Sequence, residues 1–522
     1  MLDELDTSAS APNEATLNGL LRRVDWRWLL GTPRPGRTLC FADGLLADAV
    51  QFISTIVVDA ARAPAGSCDL AVAVDPTTSQ LRAAWDALRP GGSCYTEWYT
   101  PLAGNARGIH RRLEAHDFEV LGQYWPRFGS TSPRTWVPLR RPSAVQHVVL
   151  AQPDRHGVAA RLGRAVLERV LAGVLRSGMV RPVCVLARKP GGERADLLSV
   201  VRAEWRDWGL GPAPRQLDCL LLTRGPRSLN KVVGLMFADA ESRPRLAIKI
   251  ARTHAAAAAL RREAAALTAV GAQAGALSGV PRLIFFQDQP GWCLLGESAI
   301  NGRPLYARLR SETYRELTLK TVDWLIALAG HRAPCPPVQW WDRLVEPRLS
   351  EFCTSLGDVV DHDMLAATRA GLAGLGALPL VPEQRDLWSG NVLIDDAGQV
   401  GVLDWEDAEP CGLPALDLFY LLADLAFMFD GAFASGRFRE SYRASQDATT
   451  FTGSITAEAL ARYCAGTGLD ASELRPLRLL AWLPHAAWEY RQLVAEGGVR
   501  AARAEVLGSR FFQLWREELE KG

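Results

Sequence analysis

The sequence predicts two domains of different class, an α/β domain with a parallel sheet and, after it, an α+β domain with two lobes. In the first domain, short apolar runs alternate with helical periods between residues 37 and 100. In the second, strand-like runs follow one another from 217 to 298, and the chain turns helical for most of its length after Leu305. A chain of 522 residues is also too long to fold around one hydrophobic core, so two or three domains are expected.

The order of short runs predicts the first domain. RTLCFA, STIVVDA, SCDLAVAVDP and SCYTEWY read as strands, with a turn at Gly44 leading into a helix and the helix SQLRAAWDALRPGG before the last strand. Later pieces, IHRRLEAHDFEVLGQYWP and MVRPVCVLARKP, extend the pattern. Strands that alternate with helices in this way indicate a Rossmann-like parallel sheet.

This order, with LRPGG at residues 88–92, resembles the class I S-adenosylmethionine-dependent methyltransferases. The resemblance implies S-adenosylmethionine as a cofactor, with the turn at Gly44 approaching it and Asp59 holding its ribose hydroxyls. The turn keeps one glycine where the family commonly has two or three. The nine residues between Asp59 and Asp69 are too few for the family's extra strand and helix. Both differences favour a degenerate scaffold or a substrate-presenting domain over a working methyltransferase.

A hairpin is predicted near residue 392, where apolar runs flank the turn chemistry of residues 395–398. Asp386 and Asn391 precede its first strand, and Asp404 follows its second. Because the outer ends of a hairpin lie side by side, these three side chains are expected around one point. Phosphoryl transfer needs such a set, a carboxylate for the attacking hydroxyl and oxygen ligands for magnesium.

The segment resembles the catalytic and metal-binding loops of the aminoglycoside phosphotransferase and choline kinase family, distant relatives of the protein kinases. That family reads His-x-Asp-x-x-x-x-Asn, and this chain reads Gln384, Arg385, Asp386 and then Asn391. The resemblance implies that Asp386 is the catalytic base and that Asn391 and Asp404 are magnesium ligands. It covers about 300 residues, and its trailing Pro-x-x-Asp-Leu is matched by Pro414, Asp417 and Leu418.

One position departs from the family pattern. The family's histidine, which buttresses the loop by hydrogen bonding, is Gln384 here. Glutamine donates and accepts such bonds with a different reach and without a ring. An active kinase and a nucleotide-binding pseudokinase that scaffolds a partner are therefore both interpretations of this segment.

The strands from residue 217 onward resemble a kinase small lobe, which implies that it binds ATP. Lys249, in Ala247-Ile248-Lys249, matches the lysine that pairs with the α and β phosphates. Glu263, on the alanine-rich helix that follows, is the candidate carboxylate that pairs with Lys249.

The remaining nucleotide contacts are predicted from loops. Gly225 and Asn230 lie where the family bends its first two strands over the phosphates. Backbone amides, Ser228, Arg224 and Arg227 are alternative phosphate contacts in this loop. Glu297 fits the strap between lobes, where the backbone of residues 296–298 is expected to read the adenine edge.

Composition restricts the class of partner. Acids and bases nearly cancel to a net charge of +1, so bulk charge predicts no nucleic-acid or membrane affinity. The ten cysteines include no Cys-x-x-Cys pair, and the N-terminus is acidic where a secretory signal is basic and apolar, so a cytoplasmic protein is expected. Heavy use of Ala, Arg and Leu suggests a GC-rich bacterial gene.

The sequence therefore predicts an ATP- and magnesium-dependent kinase for a hydroxyl of a small polar molecule. A methyltransferase with a regulatory kinase-like half is a further alternative. The predicted divisions are a flexible N-terminus over 1–20, a methyltransferase-like domain over 21–195, a linker over 196–216, a nucleotide lobe over 217–302 and a helical lobe over 303–522.

Overall fold

The computed structural model describes residues 13–521 with the exception of 32, 102–103, 129–131, 142–143, 150–169, 172, 176, 193–195, 224, 226, 228, 276, 290 and 358. The described residues form two compact units. The first takes in the chain up to Ala264 together with Arg282–Ala299, and the second takes in Ala265–Pro281 and the chain from Ile300 onward. Each unit is described by itself.

The first unit is built on one large mixed sheet, with twelve strands among the described residues. Their order across the sheet is β11-β12-β10-β9-β8-β6-β5-β7-β4-β3-β1-β2. The strands are β1 (Arg37–Phe41), β2 (Ile56–Val58), β3 (Cys68–Val74), β4 (Leu88–Trp98), β5 (Glu119–Phe128), β6 (Pro133–Pro138), β7 (Val183–Arg188), β8 (Leu217–Leu222), β9 (Val232–Ala238), β10 (Leu246–Ile250), β11 (Leu283–Gln289) and β12 (Trp292–Ser298).

Helices of the first unit connect and cover these strands. They are α1 (Glu14–Arg23), α2 (Gly44–Ile53), α3 (Thr78–Ala87), α4 (Ala106–Glu114), α5 (Ala144–Val149), α6 (Leu197–Glu204) and the first part of α7 (His254–Ala274). Helix α1 begins inside the stretch predicted to be flexible, because Asn13 caps it by accepting from the Thr16 amide at 3.0 Å. The predicted flexible residues 1–12 lie outside the described part of the chain.

One half of the sheet has the parallel arrangement expected from the alternation of strands and helices. Strands β2, β1, β3 and β4 run parallel in that order. Strand β7 lies between β4 and β5 and is antiparallel to both. The methyltransferase-like character of this half stays a prediction.

The other half is the antiparallel group β8 to β12, and it continues the same sheet. Strand β6 pairs with β8 through Thr135 opposite Leu222 and Trp136 opposite Leu221. The sequence-based division, which ends one domain at residue 195 and begins the nucleotide lobe at 217, differs from this arrangement. The pairing covers one edge of β6 and one edge of β8, which would otherwise be exposed. This is a physical reason for the two predicted domains to form one unit.

One of the hydrophobic cores of this unit extends through both halves of the sheet. It joins Trp26 and Trp28, which follow α1, to α2 and to β8, β9 and β10. Trp26 stacks on Tyr95 of β4 with ring centroids 3.8 Å apart, and Trp28 meets Trp292 of β12 edge-on at 5.6 Å. The segment after α1 therefore packs against both halves of the sheet.

The second unit is mainly helical. Its helices after the end of α7 are α8 (Ser311–Ala329), α9 (Glu346–Leu356), α10 (His362–Leu372), α11 (Leu416–Phe429), α12 (Ala432–Ser435), α13 (Phe438–Gln446), α14 (Phe451–Thr467), α15 (Leu474–Val506) and α16 (Arg510–Glu520). Its short strands are β13 (Arg303–Pro304), β14 (Pro334–Cys335), β15 (Leu378–Pro379), β16 (Val381–Glu383), β17 (Val392–Ile394), β18 (Val400–Val402) and β19 (Glu409–Gly412). Among the described residues, no helix has the length and apolar character needed to cross a membrane.

Candidate active site

The predicted hairpin is present in the second unit as β17 and β18. Val392 pairs with Val402 and Ile394 with Val400, and β13 adds a third strand beside β17. The Asp395 carboxylate shapes the turn by accepting from the amide of Gln399 at 2.8 Å. The residues before β17 and after β18 are consequently brought to one end of the hairpin.

At that end, Asp386 and Asn391 are in direct contact. The Asn391 side-chain amide donates from Nδ2 to the Asp386 carbonyl oxygen at 2.9 Å and to Asp386 Oδ2 at 3.0 Å. The Leu403 amide donates to the Asn391 carbonyl at 2.9 Å. Asp404 is the next residue in the chain, so this bond holds it close to the loop. The structure therefore brings Asp386 and Asn391 together as predicted, with Asp404 beside them.

Gln384 hydrogen-bonds to both segments of this site, the loop before β17 and the residues after β18. Its side chain is fully buried, and its Oε1 accepts from the Asp386 amide at 2.8 Å. Its Nε2 donates to the Leu403 carbonyl at 3.0 Å and to the Asp404 carbonyl at 2.5 Å. These bonds hold Asp404, whose φ of 63° is unusual for a residue other than glycine. Glutamine thus provides the buttressing hydrogen bonds that the resemblance assigns to histidine.

Helix α11 holds the predicted catalytic loop, residues 384–391, with two buried carboxylates. Asp417 accepts from the amides of Gln384 and Arg385 at 2.5 and 2.8 Å. Asp424 accepts from the Ser389 amide at 2.9 Å. The sequence identified Asp417 by its family match but missed Asp424. The available signal was two acids seven residues apart, hence on one helix face, in the otherwise apolar run LDLFYLLADLAFMF.

Aromatic packing over the loop was also missed. Trp388 lies parallel to Tyr306, with an interplanar angle of 5° and ring centroids 6.2 Å apart. A Cβ added to Gly390 would come within 2.1 Å of the Trp388 ring. Gly390 therefore allows the indole to lie against the backbone between Asp386 and Asn391.

The electrostatics of this end favour a proton acceptor. Burial, the neighbouring Asp404 carboxylate and the acids of residues 406 and 407 raise the pKa of Asp386 to about 7, against the opposing hydrogen bond from Asn391. A carboxylate with a pKa near neutrality is suited to take part in proton transfer. Both hydrogen bonds of the Asn391 side chain are donated by Nδ2, and none to its Oδ1 is found among the described residues.

Magnesium is the metal that the resemblance implies, and the donor types fit it. Hard oxygen atoms from one amide and one carboxylate, completed by phosphate and water, form a common protein site for this ion. No group of three or more His, Cys, Asp or Glu side chains suited to a metal occurs in the described part of the chain. The pair Asn391 and Asp404 is not a group of that kind, because one of its two members is an amide.

The charged residues predicted to bind or position nucleotide form a separate buried cluster in the first unit. Lys249 Nζ contacts Glu263 Oε1, and it lies 3.2 Å from Glu297 Oε1. Lys231 Nζ contacts the other Glu263 oxygen at 3.1 Å. The predicted pairing of Lys249 with Glu263 is present, and the sequence did not single out Lys231.

Glu297 occupies a different place from the one predicted. It lies inside β12, which pairs with β10 on one side and β11 on the other, so the backbone of residues 296–298 belongs to the sheet. This stretch is therefore strand rather than strap, and the expectation that its backbone reads adenine stays a prediction. The apolar residues before Glu297 belong to the same strand, β12, which lies between β10 and β11. Burial and the nearby Glu263 raise the pKa of Glu297 to about 7, although Lys249 acts in the opposite direction.

The loop between β8 and β9 closes through Asn230. The Asn230 amide donates to the Arg227 carbonyl at 3.1 Å, and Asn230 Oδ1 accepts from the Arg227 amide at 2.8 Å. Gly225 has a φ of 100°, and a Cβ there would lie 2.1 Å from the Asn230 side chain. Gly225 and Asn230 thus shape the predicted bend together, whereas Ser228 lies outside the described residues.

The two residues singled out for S-adenosylmethionine lie at ends of the parallel strands. Gly44 begins α2 with a φ of 56°, and Asp59 follows β2. The Asp59 carboxylate is exposed and accepts from the amides of Ala61 and Arg62 at 3.0 Å each. It caps its own turn, and binding of the cofactor stays a prediction.

In comparisons with known proteins, the C-terminal region matches a family model. The model of the phosphotransferase enzyme family, APH, matches residues 236–451. Among solved structures, the chain is similar to a choline/ethanolamine kinase family protein from Mesorhizobium loti, with 16% identity over 62% of this chain and 99% of that chain and a TM-score of 0.36. It is also similar to the aminoglycoside phosphotransferase APH(3'')-Id from Streptomyces rimosus, with 19% identity over 48% of this chain and 87% of that chain and a TM-score of 0.32. The comparison with curated proteins found no match.

Proposed function

We propose that the protein is an ATP- and magnesium-dependent phosphotransferase that acts on a hydroxyl of a small polar molecule such as a sugar, an aminocyclitol or an amino alcohol. The family match over residues 236–451 supports the reaction class. The observation that carries the proposal is the bonding of Gln384, which holds the Asp386 amide and the Asp404 carbonyl through one side chain. This bonding favours an active kinase over a scaffold that has lost its catalytic loop.

Each residue has one task in the proposed reaction. Asp386 orients the attacking hydroxyl and accepts its proton, a task that its pKa of about 7 suits. Asn391 and Asp404 hold magnesium, which neutralises phosphate charge when bound. Lys249 pairs with the α and β phosphates, and Glu263 fixes the position of Lys249. Most of the rate comes from positioning and charge neutralisation, as in other phosphoryl transfers.

The N-terminal half is proposed to be a methyltransferase-like scaffold. Four parallel strands followed by an antiparallel strand between β4 and β5 support the fold assignment. The exposed Asp59, already engaged with its own turn, argues against a working ribose site. A thermal-shift screen that compares S-adenosylmethionine with MgATP tests this assignment, because a ligand that binds only the folded form raises the melting temperature. The cytoplasmic location and the bacterial source remain predictions.

Substitution of Asp386 tests the proposed function. Asp386→Asn is expected to abolish phosphate transfer to an acceptor panel of aminoglycosides, sugars and amino alcohols while MgATP affinity stays within about threefold of wild type. Phosphate transfer is followed by release of ADP, and affinity by calorimetry with a non-hydrolysable ATP analogue. Asp396→Asn, in the turn of the same hairpin, is the matched control and is expected to keep activity.

Two outcomes oppose the assignments. Loss of MgATP binding in Asp386→Asn would contradict the role of Asp386 as base. Wild-type binding of MgATP without transfer to any acceptor would favour a nucleotide-binding scaffold.

A further inference from the structure

A buried ion pair ties the N-terminal segment to the nucleotide-binding half of the first unit. Asp25 lies in a 3-10 turn (Asp25–Trp28) that follows α1. The side chains of Asp25 and Arg252 are both fully buried, and Arg252 Nε lies 3.1 Å from each Asp25 carboxylate oxygen. A second Arg252 nitrogen, Nη2, also donates to Asp25. The two groups thus form a fork-shaped pair with no exposure to solvent.

The same arginine supports the loop between β8 and β9. Arg252 comes three residues after Lys249, and its Nη1 donates to the Asn230 carbonyl at 3.0 Å. Asn230 is the residue that closes the loop by exchanging hydrogen bonds with Arg227. A continuous chain of contacts therefore leads from Asp25 through Arg252 to the loop.

Asp25 is also the anion that compensates a second buried guanidinium. Arg27 Nη1 lies 3.4 Å from Asp25 Oδ1 and donates to the Val24 carbonyl at 3.0 Å. Burial and the neighbouring Arg252 lower the pKa of Arg27 to about 10, while Asp25 opposes that change. Removal of the Asp25 charge would leave two buried cations without their shared partner, and each would be driven to move.

We propose that Asp25 is a positioning residue for nucleotide binding and that it acts by fixing Arg252 and, through it, the Asn230 end of the loop. The N-terminal segment is then part of the nucleotide-binding machinery. The role in ATP affinity rests on the proposed kinase function, whereas the effect on the loop itself does not.

The structure offers a matched control in the same segment. Arg23, two residues before Asp25, forms a buried pair with Glu97 at 2.5 and 2.7 Å. Glu97 also accepts from the hydroxyl groups of Tyr95 and Tyr99. This pair ties α1 to β4, so its loss measures the general cost of disturbing the segment.

Three variants of the full chain separate positioning from stability. Asp25→Asn removes the charge with little change in shape. Arg252→Lys keeps a cation beside Asp25, but one ammonium group cannot also reach the Asn230 carbonyl as the guanidinium does. This second variant retains the buried charge balance and is the milder perturbation of folding. Glu97→Gln is the control.

Hydrogen exchange without nucleotide gives the first readout. Amides of residues 229–231 are expected to exchange about tenfold faster in Asp25→Asn and in Arg252→Lys than in wild type, while the amides of β10 are unchanged. Glu97→Gln is expected to lower the melting temperature without a selective effect on the loop. Unchanged loop exchange in folded Arg252→Lys, or an equal acceleration in Glu97→Gln, would overturn the proposal.

Affinity for MgATP gives the second readout. A non-hydrolysable ATP analogue is expected to bind Asp25→Asn and Arg252→Lys about tenfold more weakly, with kcat at saturating ATP close to wild type. Wild-type affinity in both variants with altered loop exchange would refute the role in nucleotide binding. A wild-type protein that binds no MgATP would instead refute the proposed function, and the exchange data would still decide the coupling of Asp25 to the loop.

Discussion

At the scale of single residues, Gln384 explains how the predicted catalytic loop is held where the family that it resembles has a histidine. Its side chain carries both a donor and an acceptor, and the surrounding backbone offers one amide and two carbonyls within reach. The sequence allowed the prediction that glutamine can make such bonds. It did not indicate which groups would be bonded, because that depends on the left-handed backbone of Asp404.

Substitutions at Gln384 test this role. Gln384→Leu has nearly the same shape but no hydrogen-bonding groups, so Asp386 and Asp404 lose their common support. A fall in kcat of roughly a hundredfold is expected, with a small change in the KM for ATP. Gln384→His is expected to retain activity within about tenfold of wild type, since a ring nitrogen can donate and accept in place of the amide.

Steady-state kinetics with the acceptor found in the panel provide the measurement. Gln399→Leu, an exposed change in the turn of the same hairpin, is the control. A Gln384→Leu enzyme with wild-type kcat would show that the observed hydrogen bonds do not limit the reaction.

Glu297 gives a pH dependence of stability. Its folded-state pKa of about 7 is above the ordinary value for glutamate, so the protein binds this proton more tightly when folded. The associated stability is present in acid and is lost as pH rises through 7. Between pH 5 and pH 8, Glu297→Gln should therefore lose less unfolding free energy than wild type, by on the order of 2 kcal/mol.

Urea denaturation of the two proteins at pH 5 and pH 8 measures this difference. The exposed Glu204→Gln serves as the control and should follow the wild type at both values. A parallel decline in Glu297→Gln and wild type would show that Lys249 keeps Glu297 ionised throughout.

At the scale of elements, local patterns were read correctly where the chain determines its own conformation. The hairpin of β17 and β18 has apolar strands around a turn that Asp395 stabilises from within the segment. Strand β10, which carries Lys249, and helix α7, which carries Glu263, were likewise predicted from their local sequence patterns. Residues 296–298 were predicted as a strap between lobes but form part of strand β12. The local sequence is the same in either case, and only the pairing with β10 and β11 makes it a strand.

The catalytic loop yields a prediction about its one tightly packed glycine. Gly390→Ala places a methyl group where the Trp388 ring lies, at a separation that no real contact has. The indole must move, and the backbone between Asp386 and Asn391 moves with it, so kcat is expected to fall roughly tenfold. In a Trp388→Leu background the same substitution should have little further effect.

The four proteins of this double-mutant cycle are compared by kcat and by melting temperature. Additive losses would indicate that Gly390 and Trp388 act independently, against the contact described. Gly374→Ala is the control, because an added Cβ there meets nothing within 4 Å and the backbone is not left-handed, so it reports the cost of the methyl group alone.

At the scale of the first unit, the continuous sheet is the feature that sequence reasoning could not find. Its critical pairing joins β6 to β8, which are far apart in the chain and carry no pairing motif. Residues 196–216 contain the glycine and proline signals of a linker, and that interpretation is locally reasonable. The shared core around Trp26 and Trp28 depends likewise on distant segments, so only tertiary structure reveals that the nucleotide lobe and the N-terminal half are one body.

A truncation tests this unity. A fragment that begins at residue 217 leaves the β8 edge unpaired and exposes the face of β9, β10 and β12 that Trp28 and the rest of the shared core cover. Apolar surface and a free strand edge favour association over folding. The fragment is therefore expected to aggregate, or to lack cooperative thermal unfolding and near-ultraviolet circular dichroism, whereas the full chain shows both. A monomeric fragment that unfolds cooperatively and binds MgATP as the full chain does would mean that the β6–β8 pairing and the shared core are dispensable, and that the N-terminal half is an appended domain.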